Sequence, residues 1–339
     1  MALIKFTDKG IYCEQGDFYI DPWKPVSLAV ITHAHADHAR WGNEAYLCHE
    51  LSKPILQHRL GDLKIQTLPY HQEIAINGVR LSLYPAGHVI GSAQIRLEYK
   101  GEICVVSGDY KVEYDGISTA FEPVKCHTFV SESTFGLPIY KWRPQAEIFE
   151  NIGNWAADNA DQGKTTVLVA YSLGKAQRLI KNLAEYGNIY VHQAIANLNE
   201  KFISAGVDLP ETIRITPETK KEDLQNGLVI VPPALADSRW IKTLNHAATG
   251  ICSGWMQVRA SRRWKSADAG FPLSDHADWP GLLMAIKATE AEQVYVTHGF
   301  TATFSRYLNE IGINAAEVKT QYGDEEEEVT ELLTGEGLT

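Results

Sequence analysis

The segment Ile31-Thr32-His33-Ala34-His35-Ala36-Asp37-His38 places three histidines and a carboxylate within six residues. Imidazole nitrogens and carboxylate oxygens at this density form a ligand set for divalent cations, which activate water and hold a phosphate or acyl oxygen. An apolar run, Val26 to Ile31, comes directly before it and reads as a buried strand. Ala34 and Ala36 are small, so nothing bulky keeps the ligands apart. His33 and His35, at alternate positions, can face one way. Asp37 and His38 lie past the strand end, where the chain can turn them toward a neighbouring point. Two metal ions sharing one pocket suit that arrangement.

Five positions further along carry the same kinds of side chain in or after apolar or small segments. His88 stands among glycines in Pro85-Ala86-Gly87-His88-Val89-Ile90-Gly91-Ser92. Asp109 ends the run Ile103-Cys104-Val105-Val106-Ser107-Gly108-Asp109, where the glycine allows close backbone access. Glu132 lies in Thr128-Phe129-Val130-Ser131-Glu132-Ser133-Thr134-Phe135-Gly136. His276 belongs to Ser274-Asp275-His276-Ala277-Asp278, and His298 to Val294-Tyr295-Val296-Thr297-His298-Gly299. Upstream, Asp21 falls at a strand end before Pro22, which stops the ladder.

These residues need a frame, and the chain offers two patterns. Up to about Gly136 it is β-rich, with Asn77-Gly78 between alternating apolar residues as a hairpin signal. From Pro144 it alternates helix and strand. A helix is expected from Pro144 through Ala157, then a strand from Thr165 to Tyr171 and a helix opening at Ser172-Leu173-Gly174-Lys175-Ala176-Gln177. Further apolar runs at Ile189–His192, Thr212–Thr216 and Leu228–Pro233 continue a βαβ rhythm, which implies a small parallel sheet in a second, inserted lobe. After Thr249–Cys252 comes Ser253-Gly254-Trp255-Met256-Gln257-Val258-Arg259, with Arg262, Arg263 and Lys265 close behind and Trp255 and Trp264 interleaved. Arginines with aromatics suit backbone phosphates and stacked single-stranded bases, and a solvated basic loop fits them equally. A closing helix is expected over Ala302 to Ile311, ahead of the solvated acidic run Asp324–Glu328.

At 339 residues the chain can bury a large core. Its net charge of −11 argues against a protein that coats nucleic acid non-specifically, but metal ions can supply positive charge where a phosphate must sit. No apolar run reaches the roughly 18 residues of a membrane span. The first residues lack the apolar core and cleavage site of a signal peptide, and the five widely spaced cysteines read as reduced and buried. A cytoplasmic protein without a membrane partner is expected.

The His-x-His-x-Asp-His segment resembles the hallmark of the metallo-β-lactamase superfamily. The runs around Glu132, His276 and His298 resemble the three added motifs of its β-CASP branch, whose members cut nucleic acids. Ser253-Gly254-Trp255 resembles the phosphate-contacting turn of β-CASP DNA exonucleases, and the whole is most similar to the bacterial DNA-ligase-associated exonuclease family. That resemblance implies an α/β fold, a metallo-β-lactamase αββα sandwich with an inserted β-CASP lobe. The lobe would occupy residues 159–269, with the sandwich formed by 1–158 and 270–339. It implies two divalent metal ions, zinc or manganese: His33, His35 and His88 hold one, Asp37, His38 and His298 the other, and Asp109 bridges them. Asp21 supports the metal-binding loop, Asp37 also orients the nucleophile, and His276 acts at the leaving group with Glu132 orienting its ring. Ser253, Gly254, Trp255 and Arg259 would contact phosphate or nucleic acid.

The implied activity is a DNA exonuclease in DNA repair, digesting single-stranded DNA from 5′ to 3′, with a DNA ligase or helicase as possible partner. His298 points to an alternative. DNA crosslink-repair members usually carry valine there, whereas ribonuclease J and the pre-mRNA 3′-end endonuclease carry histidine, so RNA is the second substrate. A glyoxalase II-like thioester hydrolase would share the ligands but fits the Glu132 and His276 motifs less well. A catalytically dead scaffold would lack ligands that are all present here.

Overall fold

Val79, Leu81 and Leu83 recur at every second position of the strand Val79–Pro85 and are all buried in one core. Ala93, Ile95 and Leu97 do the same in Ala93–Tyr99. That two-residue period is what a pleated strand imposes. In Glu102–Val106 and Thr128–Glu132 the alternation serves two cores. Cys104, Val106 and Val130 join the first, whereas Val105 and Phe129 meet Leu282 and Ile286 of the helix Trp279–Thr289 and Phe304 and Leu308 of the helix Thr301–Glu310. These strands belong to a seven-stranded sheet completed by Glu73–Ile76, Gln293–Thr297 and Ala315–Glu317. A six-stranded sheet, from Lys5–Phe6 to Ile65–Thr67, contributes Ile11, Phe18, Ile20, Val30 and Leu47 to the first core, so the two sheets pack face to face.

The computed structural model describes residues 3–225, 227–244, 246–258 and 267–321. The chain divides into two units. The first holds both sheets above, in residues 3–114, 118–141 and 276–321. The second comprises residues 115–117 and the described part of 142–275, and it is built on a six-stranded sheet whose pairings are all parallel. Its central strands Thr166–Val169 and Leu228–Val231 are buried at every position, as a sheet covered on both faces requires. Leu168 and Ile230 pack with Ile148, Phe149 and Ile152 of the helix Gln145–Asp161 and with Leu179 and Ile180 of the helix Lys175–Leu183. Val167 and Val229 pack on the other side with Leu224 and Ile241.

The parallel sheet agrees with the βαβ rhythm of the sequence, and the Asn77-Gly78 hairpin pairs Ile76 with Val79 as expected. Asn77 and Gly78 both take positive φ, 48° and 83°, which a two-residue turn of this hand needs. Ends differ. The strand before the histidines covers Leu28–Val30, the first helix of the second unit reaches Asp161, and the closing helix is Thr301–Glu310. The expected boundary at 159 falls inside the helix Gln145–Asp161, and the second unit takes that helix whole because its apolar face is part of that unit's core. No helix among the described residues is long and apolar enough to cross a membrane.

His49 follows the strand Ala45–Cys48 and is buried with its ring stacked 3.7 Å from that of Tyr70. Burial lowers its pKa from 6.5 to about 4. A base held neutral in the folded state costs nothing above its unfolded pKa. Below it the unfolded chain takes up the proton first, so stability falls between pH 6.5 and about 4, by up to about 3 kcal/mol. His49 Nδ1 accepts a hydrogen bond from Leu51 N, which an asparagine oxygen can also do. His49→Asn is expected to flatten this part of the acid limb in urea titrations run from pH 7 to 4.

Candidate metal centre

Three imidazoles and a carboxylate converge at the ends of separate strands. His35 Nδ1 lies 3.1 Å from both His33 Nε2 and His88 Nε2. Asp109 Oδ2 lies 3.5 Å from His33 Nε2 and 3.8 Å from His88 Nε2. Beside this group, His38 Nε2 is 3.2 Å from Asp37 Oδ2 and 3.4 Å from Asp109 Oδ1, and His298 Nε2 is 3.8 Å from Asp37 Oδ2. Asp109 therefore presents one oxygen to each group. All seven side chains belong to the first unit.

The local backbone explains the convergence. Asp21, in a left-handed conformation with φ of 42°, receives Thr32 N at 2.8 Å on Oδ1 and the Thr32 hydroxyl at 2.5 Å on Oδ2. The same Oδ2 lies 2.7 Å from His38 Nδ1. A carboxylate can only accept there, so His38 carries its proton on Nδ1 and turns Nε2 toward Asp37 and Asp109. Gly108, at φ of 58°, lets the chain before Asp109 pass so close that a Cβ would meet Thr32 Oγ1 at 2.6 Å. His298 is also left-handed, at φ of 55°, and the Ser133 hydroxyl donates to its carbonyl. Non-glycine residues in this region are strained, and here the strain aims two of the site's side chains.

A second pair adjoins the first. Glu132 Oε2 lies 2.9 Å and Oε1 3.1 Å from His276 Nδ1, while Oε1 also accepts from Tyr110 N at 2.7 Å. The His276 ring lies 4.6 Å from that of His88, and Asp109, Glu132 and His276 bring ligand-type atoms within 4.8 Å of one another. Glu132 ends a central strand of the seven-stranded sheet, and Ala277 N donates to Tyr110 O at 2.7 Å, so both halves of the pair are held by one stretch of backbone.

Electrostatically the centre asks for cations. Burial, the largest influence on His38, works against charge, yet Asp37, Asp109 and Asp21 together prevail and hold its pKa well above the usual value. His33 is held well below it, by burial first and then by the neighbouring His38. Burial also opposes ionisation of Asp37 and Asp109, and the surrounding histidines, His38 foremost, override it and keep both carboxyls well below the ordinary range. Asp37 Oδ1 and Asp109 Oδ1 are buried and accept no hydrogen bond among the described residues. Acceptor-only oxygens without donors, beside converging ring nitrogens, are what a divalent ion satisfies. The donor set fits metal.

Ser253, Gly254 and Trp255 lie in the second unit, in the turn after the strand Ala248–Cys252, where the Ser253 hydroxyl accepts from Trp255 N. Arg259, with Arg262, Arg263, Trp264 and Lys265, lies outside the described residues, as does the acidic run Asp324–Glu328. Thr32, Tyr110 and Ser133, which position Asp21, Glu132 and His298, are given no part by the sequence patterns described above. Thr32 stood in plain view between the strand and His33, but a lone hydroxyl carries no pattern.

Comparison with known proteins adds kinship to this geometry. A probable DNA ligase of Opitutus terrae is 30% identical over 318 residues, which cover 92% of this chain and 30% of that protein. Endoribonuclease YSH1 of Yarrowia lipolytica is 33% identical over 125 residues, 36% of this chain and 15% of that protein. Cleavage and polyadenylation specificity factor 73 of Drosophila melanogaster is 30% identical over 164 residues, 46% of this chain and 24% of that protein. The chain is a homologue of the β-CASP metallo-β-lactamase nucleases. It spans less than a third of the length of each of these relatives. No family model matches. A crystal structure of an Enterococcus faecalis protein of unknown function shares the fold, with a TM-score of 0.59 at 12% identity over 88% of this chain and 80% of that one.

In this β-CASP homologue, Asp21→Asn tests the support of the centre. An amide at position 21 keeps one acceptor for Thr32 N but sets an N–H against the Thr32 hydroxyl and His38 Nδ1. Zinc affinity measured by calorimetry is expected to fall about ten- to a hundredfold. An unchanged affinity would show that Asp21 does not orient His38.

Proposed function

We propose that this chain is a two-metal phosphodiesterase that degrades single-stranded DNA from the 5′ end in DNA repair. The observation that carries the reading is the meeting of seven ligand-type side chains beside a paired Glu132 and His276. The match to a probable DNA ligase over 92% of this chain favours DNA over other phosphodiesters. In this reading the first unit is the metallo-β-lactamase sandwich, and the parallel-sheet unit is the inserted β-CASP lobe.

His33, His35 and His88 would hold one ion, Asp37, His38 and His298 the other, with Asp109 shared. When bound, zinc or manganese ions supply acidification of a water molecule and neutralisation of charge gathering on the phosphoryl oxygens. Asp37 has a second oxygen with which to orient the attacking water. Glu132 fixes His276 through Nδ1, and His276 Nε2 would deliver a proton to the departing 3′ oxygen. Ser253, Gly254, Trp255 and Arg259 would receive the nucleic acid, and a DNA ligase or helicase is the partner this chemistry would serve.

Digestion of matched end-labelled DNA and RNA strands, with and without a 5′ phosphate, tests the proposal. The wild type is expected to release nucleotides from single-stranded DNA and to lose the activity on chelation and in Asp37→Ala. His276→Ala is expected to lower the rate about 10²- to 10⁴-fold. The matches to an endoribonuclease and to a cleavage and polyadenylation specificity factor favour RNA as the second reading, and cleavage of RNA alone would replace DNA with it.

A further inference from the structure

The helix Lys53–Leu60 has no part in the site as described, yet each end of it is tied to a ligand-bearing loop. At its start, the buried Ser52 donates its hydroxyl to Gly91 O at 2.9 Å, within the loop that carries His88. Gly91 has φ of 81°, and a Cβ there would lie 2.8 Å from Ser52 Oγ and 2.9 Å from Ser52 N, so the helix start abuts that loop directly. At its end, Arg59 Nη1 donates to Ala34 O at 2.6 Å and Nη2 to Ala39 O at 3.5 Å. Those carbonyls bracket His35, Asp37 and His38. Ile55 and Leu56 of the helix are buried.

The short segment from Ala34 to Ala39 is also tied within itself. Ala39 N donates to His35 O at 2.9 Å, and Arg40 Nε donates to Asp37 O at 3.4 Å. His38 is held separately by Asp21. His35 and Asp37 belong to different groups of ligands. A planar guanidinium that bonds both ends of the arc is suited to fixing the distance between them.

We propose that the helix Lys53–Leu60 is a strut between the two ligand loops and that Arg59 is a positioning residue for the metal centre, setting His35 and Asp37 through Ala34 and Ala39. The proposal rests on the metal-centre reading above. Loss of the guanidinium lets the arc relax, so each ion loses the fixed geometry of one ligand while every ligand remains in the chain. Metal affinity then falls, and excess metal restores occupancy.

The test compares wild type, Arg59→Lys and Arg59→Met, with exposed His58→Ala as control. Zinc binding to chelator-stripped protein is read by competition with a chromophoric chelator, and folding by circular dichroism. Arg59→Met is expected to bind about tenfold or more weakly, with two ions still taken up at saturation. Arg59→Lys, which keeps the charge but one donor point instead of a fork, is expected to fall between it and wild type. The metal concentration for half-maximal nuclease activity is expected to rise in parallel, with the plateau retained. Wild-type affinity in Arg59→Met overturns the proposal, as does an equal loss in His58→Ala. If Arg59→Met does not fold, wild-type affinity in Arg59→Lys overturns it. A wild type that takes up no zinc or manganese overturns the metal-centre reading itself, and the strut with it.

Discussion

The buried carboxyl groups of Asp21, Asp109 and Glu132 and the half-buried one of Asp37 are gathered about the same histidines, and burial without positive charge is costly there. That constraint organises the first unit. Histidines surround the acids, the neighbouring carboxylates raise the pKa of His38, and two carboxylate oxygens accept no hydrogen bond among the described residues. The fold meets the constraint by ending strands at one place. Leu28–Val30, Val79–Pro85, Glu102–Val106, Thr128–Glu132 and Gln293–Thr297 each run into a residue or loop of the centre. The two-sheet core under them fixes those strand tips, so side chains far apart in the chain bring ligand-type atoms within 4.8 Å of one another.

Most of this was legible in the sequence because ligand chemistry and strand periodicity coincide. A histidine or aspartate directly after an alternating apolar run must sit at a strand tip, and the spacing of His33, His35, Asp37 and His38 allows no wide separation. The pairing of Glu132 with His276 came through the resemblance of their motifs to those of a known branch. Nothing local to either residue predicts the partner, 144 positions away. Thr32, Ser133 and Arg59 stayed hidden because they work on backbone carbonyls or share a carboxylate, and a hydroxyl or a helix-borne arginine has no periodic signature.

The second unit shows the same limit in its edges. Its parallel sheet is announced by repeated apolar runs with helical patterns between them. The start of the unit at Trp142 is not announced, because the helix Gln145–Asp161 has an amphipathic pattern that would suit either core. Only packing decides, and Ile148, Phe149 and Ile152 are part of the core of the parallel-sheet unit. Relatives named as a probable DNA ligase, an endoribonuclease and a cleavage and polyadenylation specificity factor all align with the chain.

Anomalous diffraction from crystals loaded with zinc or manganese, recorded on either side of the metal edge, addresses the central claim most directly. The account predicts two peaks, one within ligand distance of His33, His35 and His88, the other of Asp37, His38 and His298, with Asp109 reaching both. No peak among these side chains, or a single ion held by other residues, would contradict it.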